Sequence, residues 1–581
     1  MSYGATEIIA SALESAAWEM CASLIRTAYS PNVKERADCS TALCDIHGRT
    51  LSLATHGPAH LGSTLKLIPA LVERFDLAAM QPGDAFFAND PYTVGVTHLN
   101  DCTMAAPIFA GSRIVGFAVA LAHHSDVGGR VPGSESGDAT SIYQEGIRIP
   151  PVRLFEGGTL RADILEMFLL NSRTPYFSLG DIHAQRAAVA SGIQRVQELY
   201  ARHGAAVVEQ AVDDMLDATE CRLRHYIRHH LREGVYRAED WLDEDGISDR
   251  PVKLAVTVTV RDDRVVFDFS DSAGQLGSGK NIPYTHTMAT VYYCMKVMTD
   301  PGLAVNDGLY RPVEVIAPPG SVVNPRAPAG VSSRNLTSMI LADVMIDALG
   351  QAAPQRAMAP SGAYQGIILG GWDELRGRFF VDYENFAGGH GASAGADGMD
   401  AAQIHTTNTA NLPIEVMEME FPVRVERYEV AADSGGAGRF RGGCGISREL
   451  RMLADGITLT VRSARQKFVA QGRDGGLPGA AGAYLLLREG EEQRKLSSTF
   501  SELVLRRGDV LRIETPGGGG MGDPTDRPVE DVVRDVREAK ISVGRAADLY
   551  GVALDESRGD VDEQATRRLR LQPSQRAGTA E

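Results

Sequence analysis

Glycine is the residue that most restricts what this chain can become. It occupies 61 of 581 positions, about one in ten against an average near 7%. Glycine weakens helix interiors and supplies left-handed backbone and close approaches. The excess therefore predicts a loop-rich α/β or α+β protein, not a helical bundle. A single core stops growing at about 250–300 residues, so this length predicts several domains. The 44% apolar and 23% charged fractions exclude wholesale disorder.

Charge and cysteine usage narrow the function classes. A net charge of −17 repels phosphate backbones and anionic membranes, so nucleic acid is not an expected partner. The most apolar run, Ile114 to Ala122, has nine residues, about half a membrane span. Early Glu7, Glu14 and Glu19 without an early Lys or Arg do not fit a secretory signal. Seven scattered cysteines show neither CxxC pairs nor a disulfide framework, which suits a reducing cytoplasm.

Periodicity supplies the elements. Ile9, Leu13, Ala16, Met20 and Leu24 form one helical stripe. A hairpin is predicted from Thr41–Ile46 and Thr50–Thr55 around His47-Gly48, and Ile114–Ala122 is a buried strand. Residues 160–235 read as helical, and Leu254–Val260 with Arg264–Phe269 as a second hairpin around Asp262-Asp263. Helices follow at Thr285–Met298 and Leu336–Leu349, then a β-rich stretch over 457–515, one helix over 528–550 and a disordered tail. The expected class is multidomain α+β with mixed sheets and a β-rich C-terminal lobe. Its expected domains are 1–235, a central α/β unit 236–425, a glycine-rich β lobe 426–525, and a C-terminal helix and tail 526–581.

Chemistry concentrates in the first of these. Thr97-His98-Leu99-Asn100-Asp101 and Ala122-His123-His124-Ser125-Asp126 place three of the 14 histidines beside aspartates, at the ends of a buried strand. Imidazole and carboxylate together suit zinc, manganese or iron, which makes the N-terminal α/β region the metal-bearing one. His98 and Asp101 would face opposite sides of a straight strand, so a turn or a helical twist there would bring them together. Adjacent His123 and His124 point opposite ways if extended. One enters the site and the other is left as a hydrogen-bond donor or general acid–base. A metal-free alternative has His124 as base, oriented by Asp126, and the bland alternative has satisfied loop histidines. Gly274-Gln275-Leu276-Gly277-Ser278-Gly279-Lys280-Asn281 fits a phosphate loop except at Asn281. Pro283 and Tyr284 displace the helix start that would cradle phosphate, so it reads as a turn, and no nucleotide site is expected here. Asp433–Gly443 and Pro516–Pro524 likewise read as turns before anion sites.

These stretches, in order, resemble the hydantoinase B/oxoprolinase family. They are joined by Glu35-Arg36-Ala37-Asp38-Cys39-Ser40, Gly83-Asp84 to Asn89-Asp90-Pro91, Val127-Gly128-Gly129, Ile142 to Pro151, and Asn306-Asp307-Gly308 with Arg311-Pro312. Cys39 stands where the family more often has an aromatic residue. The resemblance implies the B-type subunit of an ATP-dependent cyclic-amide hydrolase. Its partner would be a hydantoinase A-type subunit of actin-like ATPase fold, holding ATP and magnesium, in a heterotetramer or larger assembly. It implies a metal site at Asp38, His98, Asp101 and His123, with zinc first and manganese or iron as alternatives. The choice of His123 over His124 comes from the resemblance alone. ATP would activate the substrate carbonyl for attack by water, with His124, Asp126 and Glu145 as catalytic candidates. Arg148, Arg439 and Arg441 are candidate substrate or phosphate contacts. A subunit of an acetone- or acetophenone-type carboxylase is the alternative that the same resemblance allows.

Overall fold

The first apolar stripe organises the N-terminal third. In the computed structural model, which describes residues 3–555 and 560–571, helix Tyr3–Thr27 buries Ile9, Leu13, Ala16, Met20 and Leu24. Gly4–Thr27 is long and apolar enough to cross a membrane by length and composition, which the nine-residue run did not reveal. Here its stripe packs on helix Pro175–His203 and on a sheet.

That sheet has seven antiparallel strands: β1 (Cys39–Cys44), β2 (Thr50–Thr55), β3 (Ala85–Ala88), β4 (Asp101–Ala110), β5 (Arg113–His123), β6 (Val152–Glu156) and β7 (Thr159–Leu160). Their order is β2-β1-β5-β4-β3-β6-β7. The expected hairpin is β1–β2. Its turn closes because Asp45 accepts the His47 and Arg49 amides while Gly48 takes φ 83°. The expected buried strand is β5, at the centre. Register does the positioning: Cys39 lies opposite Ala122, and Asp101 opposite His123. The ends of β1, β4 and β5 therefore converge on one point.

Helices Ala162–Asn171, Pro175–His203 and Ala205–His230 fill the predicted helical stretch. A second, mixed sheet (Gly234–Leu242, Val252–Arg261, Arg264–Asp268, Val313–Ile316) contains the second hairpin and packs on helix Arg334–Ala352, which pairs with helix Tyr284–Met298. A third sheet joins Gln365–Asp373 and Arg378–Phe386 to Ile457–Ser463 and Thr499–Leu505. The boundary expected at 425/426 therefore runs through a hydrogen-bonded sheet. A fourth sheet holds Val423–Val430, Ile446–Met452, Ala483–Leu487, Arg494–Leu496 and Val510–Glu514.

Much of the glycine excess goes into a bundle of extended segments outside any sheet. Residues around 389–391, 435–443, 470–479 and 516–521 run side by side and share backbone hydrogen bonds. Gly518, for example, donates to Gly443 O at 3.0 Å and accepts from Gly436 N at 2.9 Å. A Cβ on Gly518 would lie 2.0 Å from His390 O. The segments touch backbone to backbone, and only glycine permits that spacing.

Two C-terminal expectations are corrected. The helix over 528–550 is two helices, Val529–Arg537 and Val543–Asp548. Ala539 turns left-handed at φ 55° and the Asp433 carboxylate takes the Ser542 amide, which breaks the run. Part of the expected tail, Glu563–Leu571, is helical, and residues 572–581 lie outside the described residues.

Candidate metal centre

The convergence of β1, β4 and β5 builds a closed polar core. Asp101 and His123 face each other by register, and a tight turn, Asp101 N to His98 O at 3.2 Å, swings His98 onto the same side. Ligand atoms of His98, Asp101 and His123 lie within 4.8 Å of one another, and all three residues are buried. Thr97 donates a short hydrogen bond to Asp101 Oδ2, and Arg334 Nε reaches Thr97 Oγ1 at 3.0 Å. The Asn32 amide fixes the His123 ring, 2.5 Å from Nδ1. Asp38 adjoins the group: its carbonyl accepts the His123 amide at 3.1 Å. Its carboxylate has no hydrogen-bond or ion-pair partner among the described residues, and its charge is the largest one favouring a protonated His123.

The donor set fits a cation. Burial, with the Arg334 charge added, pulls His98 down to about 4, and burial pulls His123 to about 4. Both rings are thus neutral near pH 7. Burial opposes the charge of Asp101, yet the His98 and His60 imidazoles and Arg334 hold its carboxyl well below the usual carboxylate range. His98 Nε2 is 3.2 Å from Asp101 Oδ1, and Nδ1 is 2.9 Å from Glu135 Oε1. A neutral imidazole carries one N–H, so one of these contacts sets lone pair against lone pair. Neither ring nitrogen of His98, nor Asp101 Oδ1, has an aligned hydrogen bond. A shared cation resolves that conflict.

The depressed imidazoles also set an acid limit. Unfolded, each ring binds a proton near pH 6.5; folded, near 4. The unfolded state therefore holds more protons between these values, and stability falls as pH drops through that window, by about 1.4 kcal/mol per pH unit for each ring. The urea midpoint of chelator-treated protein is expected to fall from pH 7 to pH 5, and less steeply in His98→Ala. Equal slopes would contradict the assignment.

Glu135 is the central residue that sequence reasoning missed. Fully buried, its Oε1 accepts from the Tyr383 hydroxyl at 3.0 Å and meets Arg334 Nη1 at 3.2 Å and His123 Nε2 at 3.4 Å. Its Oε2 pairs with Arg462. Tyr383 and Arg462 come from the third sheet, so the C-terminal half closes the centre. Ser134-Glu135-Ser136 lies between two recognisable stretches, with no local pattern to mark it.

Other candidates go elsewhere. His124 points to the opposite face of the sheet, edge-on to Phe87 and Phe168, with Nε2 3.2 Å from Gln185 Oε1. Asp126 folds its own loop, accepting the Gly128, Gly133 and Arg173 amides and the Arg173 guanidinium. The expected pairing of His124 as base with Asp126 as its orienter is thus absent. Glu145 is buried, with Oε1 on the Val331 and Ser332 amides; burial pushes its carboxyl up to about 7. Arg148 pairs with Asp90 at 2.5 Å, and Arg439 lies over the Phe440 ring. Arg441 is buried on Asp400, tying the glycine bundle together. Lys280 is buried against Glu244, and Asn281 holds the surrounding turn through Leu276, Ser278 and Gly330. That stretch is a structural turn.

The hydantoinase B/oxoprolinase family profile matches residues 5–524. The chain belongs to this family. It is 31% identical to the B-type subunit of the putative D-/L-hydantoinase of Pseudomonas sp. (strain NS671), over 97% of each chain. The crystal structure of the ATP-dependent caprolactamase from Pseudomonas jessenii superposes with a TM-score of 0.89 at 30% identity, over 97% of this chain and 98% of that one. Nucleotide-free acetone carboxylase reaches the same TM-score at 20% identity over 98% and 82%, a likeness of fold. The chain is thus an enzyme of a family whose members include subunits of larger enzymes, and the α+β architecture with several sheets is the family's.

Proposed function

We propose that this chain is the metal-bearing subunit of an ATP-dependent cyclic-amide hydrolase that works with an ATP-binding partner subunit. The observation that carries the reading is the buried His98–Asp101–His123 triad, whose unsatisfied nitrogens and oxygen call for a cation. His98, Asp101 and His123 would hold it, with Asp38 as the adjoining fourth ligand; zinc suits the set best, and manganese or iron also fits. Such an ion supplies Lewis-acid activation of water or of a carbonyl oxygen.

The chain's own residues do the rest. Thr97 and Arg334 orient Asp101, Asn32 orients His123, and Glu135 balances the buried guanidinium charges. A neutral amide is a poor electrophile, so phosphorylation of its oxygen in the partner creates the leaving group that hydrolysis needs. Of the three residues read as catalytic, Glu145 is the one whose carboxyl burial pushes up to about 7, in the range that suits a proton carrier. The hydrolase reading is preferred because the hydantoinase and caprolactamase chains match end to end at 30–31% identity, whereas acetone carboxylase matches at 20%.

Metal analysis of the purified complex, alongside ATP-dependent ring opening of hydantoin, caprolactam and 5-oxoproline, tests this directly. His98→Ala and His123→Ala are expected to lose metal affinity by at least about tenfold, with turnover falling in parallel. His124→Ala is expected to keep its metal. Full metal and full turnover in both ligand variants would defeat the assignment. ATP consumption that requires bicarbonate would favour carboxylation instead.

A further inference from the structure

Two cysteines that the proposed chemistry does not use meet beneath the centre. Cys21 on helix Tyr3–Thr27 and Cys39 at the start of β1 bring their sulfurs to 4.0 Å, and both are buried. Among the described residues no other cysteine pair is in sulfur–sulfur contact. Cys21 also bonds His56, a half-buried ring that stands edge-on to the exposed Trp18 and links the pair to the surface. The hydrogen bond from Cys39, with help from His56, draws the Cys21 thiol down to about 6 despite burial. A nucleophilic thiolate thus faces a second sulfur that can resolve it.

We propose that Cys21 and Cys39 form a reversible disulfide that gates the metal centre. The oxidant is a peroxide. The Cys21 thiolate attacks one peroxide oxygen, the O–O bond breaks, and hydroxide leaves, giving a sulfenic acid. Cys39 then loses its proton and attacks the Cys21 sulfur, the S–O bond breaks, and the departing hydroxide takes that proton to form water. Two electrons pass from the sulfurs to the peroxide, and a dithiol returns them. Closing 4.0 Å to a bond of about 2 Å pulls on the start of β1. Asp38 precedes Cys39, its carbonyl holds the His123 amide, and Cys39 pairs with Ala122 next to His123. The ligand shell is therefore mechanically tied to the sulfur pair. The gating rests on the metal reading above; the bond itself does not.

The test uses the full chain with its exposed thiol removed, Cys221→Ser. After hydrogen peroxide, alkylation and digestion without reduction, the Cys21 and Cys39 peptides are expected as one linked species, about 2 Da below their sum. Dithiothreitol restores both thiols. Cys39→Ser, which keeps a hydrogen-bond donor beside Cys21 but no resolving sulfur, should abolish the link and leave Cys21 trapped by dimedone as the sulfenic acid. Two fully alkylatable thiols after peroxide, or Cys21 sulfinic acid with no link, would overturn the disulfide. In chelator competition the oxidised protein is expected to bind zinc at least about tenfold more weakly, reversibly, with Cys39→Ser insensitive. A mapped link with unchanged zinc affinity overturns the gating. A reduced protein that binds no zinc defeats the metal reading and the gating while leaving the mapped bond intact.

Discussion

Replacing Glu135 with glutamine is expected to lower stability by about 3–5 kcal/mol, because it strands two buried guanidinium groups. Arg334 and Arg462 are both almost wholly buried, and Glu135 is the carboxylate that meets both. Arg462 is otherwise held by the faces of Tyr364 and Tyr383, 5.4 and 4.8 Å from its guanidinium carbon. Ring faces do not replace a counter-charge in a dry interior. Removing one of the two cations as well, in Glu135→Gln with Arg462→Met, should recover part of the loss, since Arg334 is then the one buried charge left facing the changed side chain. Urea unfolding of the two single variants and the double variant reads both effects. A Glu135→Gln loss below about 1 kcal/mol would show that the ion cluster is unimportant to the fold.

Gly518→Ala is expected to prevent folding, at a cost above about 5 kcal/mol, the range reserved for severe lesions. Its new methyl would sit 2.0 Å from His390 O and 2.3 Å from the carbon behind it. Both belong to backbone that is itself hydrogen-bonded on the far side, since the same carbonyl accepts the Gly443 amide at 2.8 Å. No side chain is available to rotate away. Gly395→Ala is the matched control: nothing lies within 4 Å of its Cβ, and its effect should stay within about 0.5 kcal/mol. Soluble yield and the denaturation midpoint compare the pair. Wild-type stability in Gly518→Ala would mean that the bundle is looser than its spacing implies.

The legible parts of this chain are those whose signal is local. The stripe from Ile9 to Leu24, the β1–β2 hairpin and the run that forms β5 each carry their period within a dozen or so residues, and each is found in place. The triad is half legible. Residue types and spacing point to His98 and Asp101, and of the turn or twist expected between them the structure has a turn, but only the resemblance chooses His123. Strand parity says that His123 and His124 diverge, not which one faces inward; Phe87 and Phe168 decide that from distant parts of the chain. Glu135 and Arg462 lie far apart in sequence and announce nothing locally, because a buried ion pair is a property of two surfaces meeting. The glycine segments read as turns because their order comes from neighbours, with no period of 2 or 3.6 to find.

The third sheet has a consequence for how this protein comes into being on the ribosome. Every candidate ligand has been synthesised by residue 123, yet Tyr383 and Arg462, which pair with Glu135, emerge hundreds of residues later. An early nascent chain exposes its imidazoles and carboxylates to whatever ions the cell offers, with no lid to select among them. On the metal reading proposed above, discrimination between ions would be a late event, completed when the far half of the polypeptide packs onto Glu135.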